Sequence, residues 1–155
     1  MNLRCLQRPL AVRALRASGL AALSLLCASA WAAPTPQDAK GLWLSSDKGA
    51  IIEFKDCPDT AGALCGTIVW DKDAGTPLDT CGVLISKVKR YADEAWRDGW
   101  VFDPRSKKHY KAAIRVNKDS KPETLLLRAF IGTEILGDTE EMTRVASLPS
   151  GCKTR

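Results

Sequence analysis

The stretch GLWLSSDKGAIIEFKD, residues 41–56, contains two apolar runs on either side of Ser46-Asp47-Lys48-Gly49. Aromatic and β-branched residues favour strands, whereas Ser, Asp and Gly favour tight turns. This stretch therefore predicts a β-hairpin with strands at 41–46 and 50–56.

The same pattern continues along the chain, because similar runs recur about every 12 to 18 residues between clusters of Gly, Pro, Asp and Asn. Two segments are ambiguous, since 91–96 also suits a helical turn and 139–144, which contains Glu140 and Glu141, also suits a helix. Eight strands in about 110 residues predict an all-β fold, a small closed antiparallel barrel, because closure removes exposed sheet edges. The predicted strands are 41–46, 50–56, 64–71, 82–90, 98–103, 108–117, 123–131 and 139–146.

With 155 residues, of which 45% are apolar, the chain has room for one globular domain, which excludes a two-domain enzyme. We place this β-barrel domain at 41–152. The preceding segment 33–40 is predicted to be a short linker, because Pro34 and Pro36 remove backbone hydrogen-bond donors.

Residues 1–32 have the features of a cleaved signal peptide. Four arginines without any acid precede a short apolar stretch at 19–30, and Ala30 and Ala32 offer the small residues that a signal peptidase reads. The pattern predicts a periplasmic or secreted protein. We expect no stable membrane insertion, because a spanning helix needs about 20 apolar residues.

The basic charge of the whole chain does not indicate a nucleic-acid partner. Of 23 basic residues, four lie in the predicted leader, so 19 remain against 18 acidic ones and the formal charge falls from +5 to +1. The sequence pI of about 9.0 therefore reflects the leader.

Four cysteines follow the leader, and they allow three pairings. Export makes disulfides the expected state. Cys57 and Cys65 flank a short loop between two apolar runs, so a Cys57–Cys65 bridge across a hairpin base is geometrically easy, and Cys81–Cys152 then follows by elimination. No zinc site is expected, because the cysteines lack a close metal-ligand spacing and His109 is the single histidine.

An ordered set of motifs along residues 41–145 resembles the DUF2147 family of exported bacterial proteins. The motifs are Gly41-Leu-Trp43, the run from Leu64 to Trp70, the run from Asp98 to Pro104, Lys108-His109-Tyr110 and Arg144-Val145. The resemblance implies a lipocalin-like β-barrel in the periplasm or the secreted space, without an established biochemical activity.

Gly41, Trp43 and Arg144 are candidates for a structural role. Gly41-Leu42-Trp43 resembles the Gly-x-Trp motif of lipocalins, where the Trp closes one barrel end and a late Arg lies over its ring. Arg144 occupies the matching late position, and a cation over an indole face stabilises by about 0.5 to 2 kcal/mol. In the alternative interpretation, Trp43 lines a ligand pocket.

Aromatic residues of the middle and later strands are candidates for lining an apolar ligand cavity, with Tyr110 and Arg128 as polar contacts. In the alternative interpretation, the rings fill a narrow barrel as core. Trp100 and Phe102 should share one strand face, with Val101 and Asp103 on the other. The candidate ligand-binding residues are Trp70, Trp100, Phe102, Tyr110, Arg128 and Phe130.

Catalytic motifs are weak. His109 has no Gly-x-Ser-x-Gly partner motif, no phosphate-binding glycine loop occurs, and Asp71–Gly75 lacks the ligands of a calcium loop. Glu53 is a candidate acid if it lies inside the barrel, where burial would raise its pKa. We assign no catalytic residue, cofactor or metal.

The sequence therefore predicts an exported barrel that binds a small apolar or amphipathic molecule. Two alternatives remain open. One is an envelope interaction protein that binds a protein or glycan through its loops, and the other is a carboxylate-dependent enzyme.

Overall fold

A computed structural model describes residues 32–150 and residue 152; the predicted signal peptide lies outside the described residues except for Ala32. In this part of the chain, two short 3-10 turns, Pro36–Ala39 and Glu134–Leu136, accompany nine strands. The strands are β1 (Gly41–Leu44), β2 (Ala50–Asp56), β3 (Leu64–Asp71), β4 (Leu84–Val88), β5 (Arg90–Ala92), β6 (Ala95–Asp103), β7 (Lys108–Asn117), β8 (Thr124–Phe130) and β9 (Asp138–Val145).

The strands form one antiparallel sheet that closes on itself. Its order is β4-β3-β2-β1-β9-β8-β7-β6-β5, and β4 also pairs with β6. The closed ring therefore contains eight strands. The ninth, β5, follows β4 along the chain and pairs with β6 outside the ring. The predicted eight-stranded antiparallel barrel is confirmed.

The segment 91–96 is a β-hairpin tip and not a helical turn. Tyr91 pairs with Trp96, and Ala92 pairs with Ala95. Between them, Asp93 and Glu94 have φ angles of 50° and 55°, as a two-residue type I′ turn requires. The predicted strands 82–90 and 98–103 are therefore parts of the two arms of one longer hairpin. Segment 139–144 lies within β9, so its strand assignment is the correct one.

A bulge in β6 lets the hairpin bend into the barrel wall. Asp98 has a φ of 58°, and the register with β7 shifts between Trp96 and Gly99. A methyl group on Gly99 would lie only 1.9 Å from the carbonyl oxygen of Lys87. Glycine at this position therefore permits the close approach of β6 to β4.

The barrel core is built from every second side chain of each strand, because alternate side chains point toward the interior. Ile52 and Phe54 of β2 belong to it, as do Ile114 and Val116 of β7. The largest side chains with less than 2% exposure include Trp43, Phe54, Leu64, Ile114, Leu125 and Met142. These side chains are therefore shielded from solvent in the middle of the barrel.

The turn Pro36–Ala39 covers one end of the core. Trp43 Nε1 donates to the Ala39 carbonyl oxygen at 2.9 Å, and Trp96 Nε1 donates to that of Pro36 at 3.2 Å. The structure thus differs from the predicted linker at 33–40, because residues 36–39 are packed on the barrel and Ala39 is buried. Proline is compatible with the first turn of a helix, whose backbone N–H groups need no internal partner.

Both predicted disulfides are present. Cys57–Cys65 joins β2 and β3 at the base of their loop, and Cys81–Cys152 ties the loop after β3 to the end of the chain. Among the described residues, no helix has the length and apolar character needed to cross a bilayer.

Candidate functional site at the barrel mouth

The closed end of the barrel brings together Gly41, Trp43 and Arg144. The guanidinium carbon of Arg144 lies 4.0 Å from the centroid of the Trp43 ring. Arg144 also donates to the carbonyl oxygen of Lys40 at 2.9 Å and to the Glu123 carboxylate at 2.6 Å. A methyl group on Gly41 would lie 2.9 Å from Arg144 Nη1, so this glycine leaves room for the guanidinium.

The opposite end, which we call the mouth, carries the loops 45–49, 72–83, 104–107 and 131–137 between consecutive barrel strands. Several partly buried apolar residues near these loops pack on top of the core. These residues, the mouth floor, are Ala50, Val83, Tyr110 and Ala129. Two of the four are alanines, and Tyr110 is the largest side chain of the floor.

Glu140 faces the barrel interior at the mouth. Its cross-strand partner Leu127 and its same-face neighbour Met142 are both core residues. The Ser46 N–H donates to its carboxylate at 3.4 Å. Burial raises the pKa of Glu140, and the nearby negative charge of Asp47 adds to this, whereas the Ser46 contact and the Arg105 charge oppose it.

Asp47 lies on the rim beside Glu140 and is held as a carboxylate. It accepts hydrogen bonds from Ser45 Oγ at 2.7 Å, from Gly49 N–H at 2.9 Å and from Arg105 at 2.7 Å. These hydrogen bonds lower the pKa of Asp47 from 3.8 to about 2. Asp47 therefore holds the first loop in place and orients Arg105.

Arg105 belongs to the loop between β6 and β7, where Asp103 accepts hydrogen bonds from the Arg105 backbone and the Ser106 hydroxyl at 2.9 and 2.6 Å. Beside the first loop, Asp71 accepts hydrogen bonds from the backbone N–H groups of Asp73 and Thr80, both at 2.8 Å. These two carboxylates organise loops. Glu140 differs from them, because its carboxylate accepts a long hydrogen bond from Ser46 and orders no loop of its own.

Of the six predicted ligand-binding residues, Tyr110 lies on the mouth floor. Trp100 and Phe102 share a strand face as expected, but it is the outer face, because Val101 between them belongs to the core. Their rings contact His109, with centroid distances of 5.3 and 4.7 Å.

The other three predicted residues also lie away from the main core. Trp70 pairs with Ile51, Phe130 pairs with Lys111, and none of these four belongs to the core cluster. Arg128 donates to the carbonyl oxygens of Glu134 and Ile135 at 2.6 and 2.8 Å. Arg128 therefore supports the loop between β8 and β9.

Glu53 does not lie inside the barrel. Its neighbours Ile52 and Phe54 are core residues, so Glu53 faces outward, where it pairs with Lys55 at 2.7 Å. Glu140 lies on the inner face at the mouth, and sequence reasoning missed it. Once residues 139–144 are assigned to a strand, the apolar Met142 places Glu140 on the inner face, and this was the available signal.

Ligand atoms of Cys57, Asp59 and Cys65 lie within 4.8 Å of one another. The two sulfur atoms are bonded to each other in the disulfide, so they offer no thiolate to a metal ion.

Comparison with known structures and families supports the fold. Protein HP1028 from the human pathogen Helicobacter pylori, described as a member of the lipocalin family, is 13% identical, with a TM-score of 0.52 over 69% of this chain and 82% of that one. No curated protein sequence matches significantly. The family described as "uncharacterized protein conserved in bacteria (DUF2147)" matches residues 41–144. The chain is therefore a member of the DUF2147 family with a lipocalin-like barrel.

Proposed function

We propose that this protein binds a small amphipathic molecule at the barrel mouth. The apolar part of the ligand would lie on the mouth floor around Tyr110, and a cationic head group would lie at Glu140. A lipocalin-like barrel fits the binding of a small ligand. Trp43 and Phe54 are fully buried, so the proposed site lies at the mouth and not around them.

The position of Glu140 is the observation that carries this proposal. Among the described residues, no basic side chain forms an ion pair with its carboxylate. A partly buried charge without a partner costs free energy, which a bound cation would recover. The loop lysines Lys48, Lys72 and Lys107 are exposed to solvent. Asp71 and Asp138 pair with the floor residues Ala50 and Ala129, but Asp71 already accepts hydrogen bonds from its own loop and Asp138 is exposed. Glu140 is therefore the weakly hydrogen-bonded, partly buried carboxylate at the floor.

Two amphiphiles with the same tail and opposite charge test the proposal. Isothermal titration with dodecylamine and dodecanoate, both below their micelle concentrations, compares an ammonium with a carboxylate head group. We expect the ammonium to bind at least about tenfold more tightly, which corresponds to about 1.4 kcal/mol. Equal affinities, or tighter binding of dodecanoate, would contradict the assignment of Glu140.

Two variants separate the head-group contact from the floor. Glu140→Gln should abolish the preference for the ammonium, whereas the matched control Glu53→Gln on the outer face should retain it. Tyr110→Ala should weaken the binding of both amphiphiles, because it removes apolar contact area. A preference that survives Glu140→Gln would show that the head group binds elsewhere.

Native mass spectrometry of protein purified gently from the producing cell tests for the natural ligand. We expect a retained amine-bearing amphiphile in the wild type and less of it in Glu140→Gln.

A further inference from the structure

The loop between β8 and β9 presents three large aliphatic side chains to solvent. Ile131, Ile135 and Leu136 are 76%, 86% and 83% exposed. We call these three residues the apolar tip. Exposed aliphatic residues that cluster in one short loop mark sites of contact with another surface.

Three arginines hold this tip in place. The Glu134 carboxylate accepts hydrogen bonds from Arg97 and Arg115. Arg128 binds the backbone of the same turn, at the carbonyl oxygens of Glu134 and Ile135. The cross-strand partner of Arg128 is Ala113. Ala113 is fully buried, and it lies outside the main core cluster. The loop is therefore ordered before any partner binds, which lowers the entropic cost of docking.

The strands beside the tip add aromatic and basic side chains on the outer face of the barrel. Lys111 lies between Trp100 and Phe130 in one cross-strand row, and both aromatic residues are partly buried. The basic residues of this face are Arg97, Lys111, Arg115 and Arg128, while its acidic residues include Glu134 and the exposed Glu141. Arg97 and Arg115 are paired with Glu134, and the exposed Asp138 follows the tip loop, so Lys111 is the exposed basic charge beside the two aromatic rings.

We propose that this face docks reversibly on an anionic lipid bilayer. The apolar tip would enter the interfacial region, Trp100 and Phe130 would lie at the level of the head groups, and Lys111 would face the lipid phosphates. A protruding tip suits a deformable bilayer, whereas a protein partner would need a matching apolar hollow. Trp is enriched at membrane interfaces, and each nearby basic residue strengthens binding to anionic lipid. This proposal concerns the outer face and does not depend on ligand binding at the mouth.

Vesicle co-sedimentation tests the proposal with the full chain, expressed with its leader and purified in the same processed form for every variant. The probes are vesicles of phosphatidylcholine alone and vesicles that also contain about 30% phosphatidylglycerol. We expect the wild type to bind the anionic vesicles at least about tenfold more tightly. The double variant Ile135→Ser/Leu136→Ser should lose at least about tenfold of that affinity.

Two further variants locate the contact. Lys111→Glu should weaken binding to the anionic vesicles about fivefold or more and leave phosphatidylcholine binding unchanged. Leu78→Ser is the matched control, because Leu78 is 72% exposed on a different loop; it should bind like the wild type. All these side chains are exposed, so unchanged melting temperatures should show that the variants fold.

The proposal fails if the wild type does not bind anionic vesicles, or if binding is equal in the wild type and in the tip variant. It also fails if Leu78→Ser causes the same loss as the tip variant. Self-association or binding to an acidic protein, without vesicle binding, would assign the face to a protein partner instead.

Discussion

Arg144 of the last strand stacks on Trp43 of the first, with its guanidinium carbon 4.0 Å from the ring centroid. The two residues are direct cross-strand partners at the seam where β9 meets β1. Because the same guanidinium also binds the Lys40 carbonyl oxygen, the turn that covers this barrel end is tied to both strands.

Removing the Trp43 ring should destabilise the barrel strongly. Trp43 is 0% exposed, so Trp43→Ala should lower the free energy of unfolding by about 3–5 kcal/mol. Urea unfolding measures this change, and Trp100→Ala on the outer face is the control with a smaller expected loss. A loss below about 1 kcal/mol for Trp43→Ala would contradict its role in closing the barrel.

A double-mutant cycle measures the stacking itself. Combining Trp43→Ala with Arg144→Met should reveal a coupling of about 0.5–2 kcal/mol between the two residues. Additive losses would show that Arg144 acts through its hydrogen-bond partners, Glu123 and the Lys40 carbonyl oxygen, and not through the ring.

The two disulfides should differ in their contribution to stability. The Cys81–Cys152 bridge spans 71 residues of sequence, and Cys57–Cys65 spans 8. In the chain-entropy description, replacing the long-range pair by serines should cost about 4.5 kcal/mol, and replacing the short-range pair about 2.5 kcal/mol. Chemical denaturation of the two double variants tests this order, and a larger loss for the short bridge would contradict it.

Glu140→Gln should stabilise the protein at neutral pH. The folded state raises the pKa of Glu140 above its ordinary 4.5, so the wild-type acid favours folding below that pH and loses this contribution as the pH rises through the raised pKa. The melting temperature of the variant should exceed that of the wild type at pH 7, and the difference should shrink toward pH 4. A less stable variant at pH 7 would show that the carboxylate has a favourable partner.

Asp47→Asn should have the opposite pH dependence. Folding lowers the pKa of Asp47 from 3.8 to about 2, so its stabilising contribution is present above about pH 4 and is lost as the pH falls toward 2. The variant should melt at a lower temperature than the wild type at pH 7 and at the same temperature near pH 2. A difference that persists at the lowest pH would assign the effect to something other than the charge.

Gly99→Ala should disrupt the bulge in β6. The new methyl group would lie 1.9 Å from the Lys87 carbonyl oxygen, so the strands must separate, and we expect a loss of about 3 kcal/mol or more. Gly75→Ala is the control, because its φ of 82° is strained for alanine but nothing lies within 4 Å; it should cost about 1 kcal/mol. Similar losses at both sites would contradict the close approach.

Much of the strand layout could be predicted from local sequence. The strands Ala50–Asp56, Leu64–Asp71 and Lys108–Asn117 lie where they were expected, because turn residues bound each apolar run. The hairpin tip at Asp93 and Glu94 was missed, because neither residue is glycine although both have positive φ. Its conformation is imposed by the pairing of the two long arms.

The sequence by itself determined the strand periodicity, the disulfide framework and the family, since these depend on residue type and spacing along the chain. Only the tertiary structure decided which strand faces point inward, because each face is chosen by how the whole sheet closes and a bulge can shift it. Trp100 and Phe102 therefore lie outside while Val101 lies inside, and Glu140 faces the interior while Glu53 faces solvent.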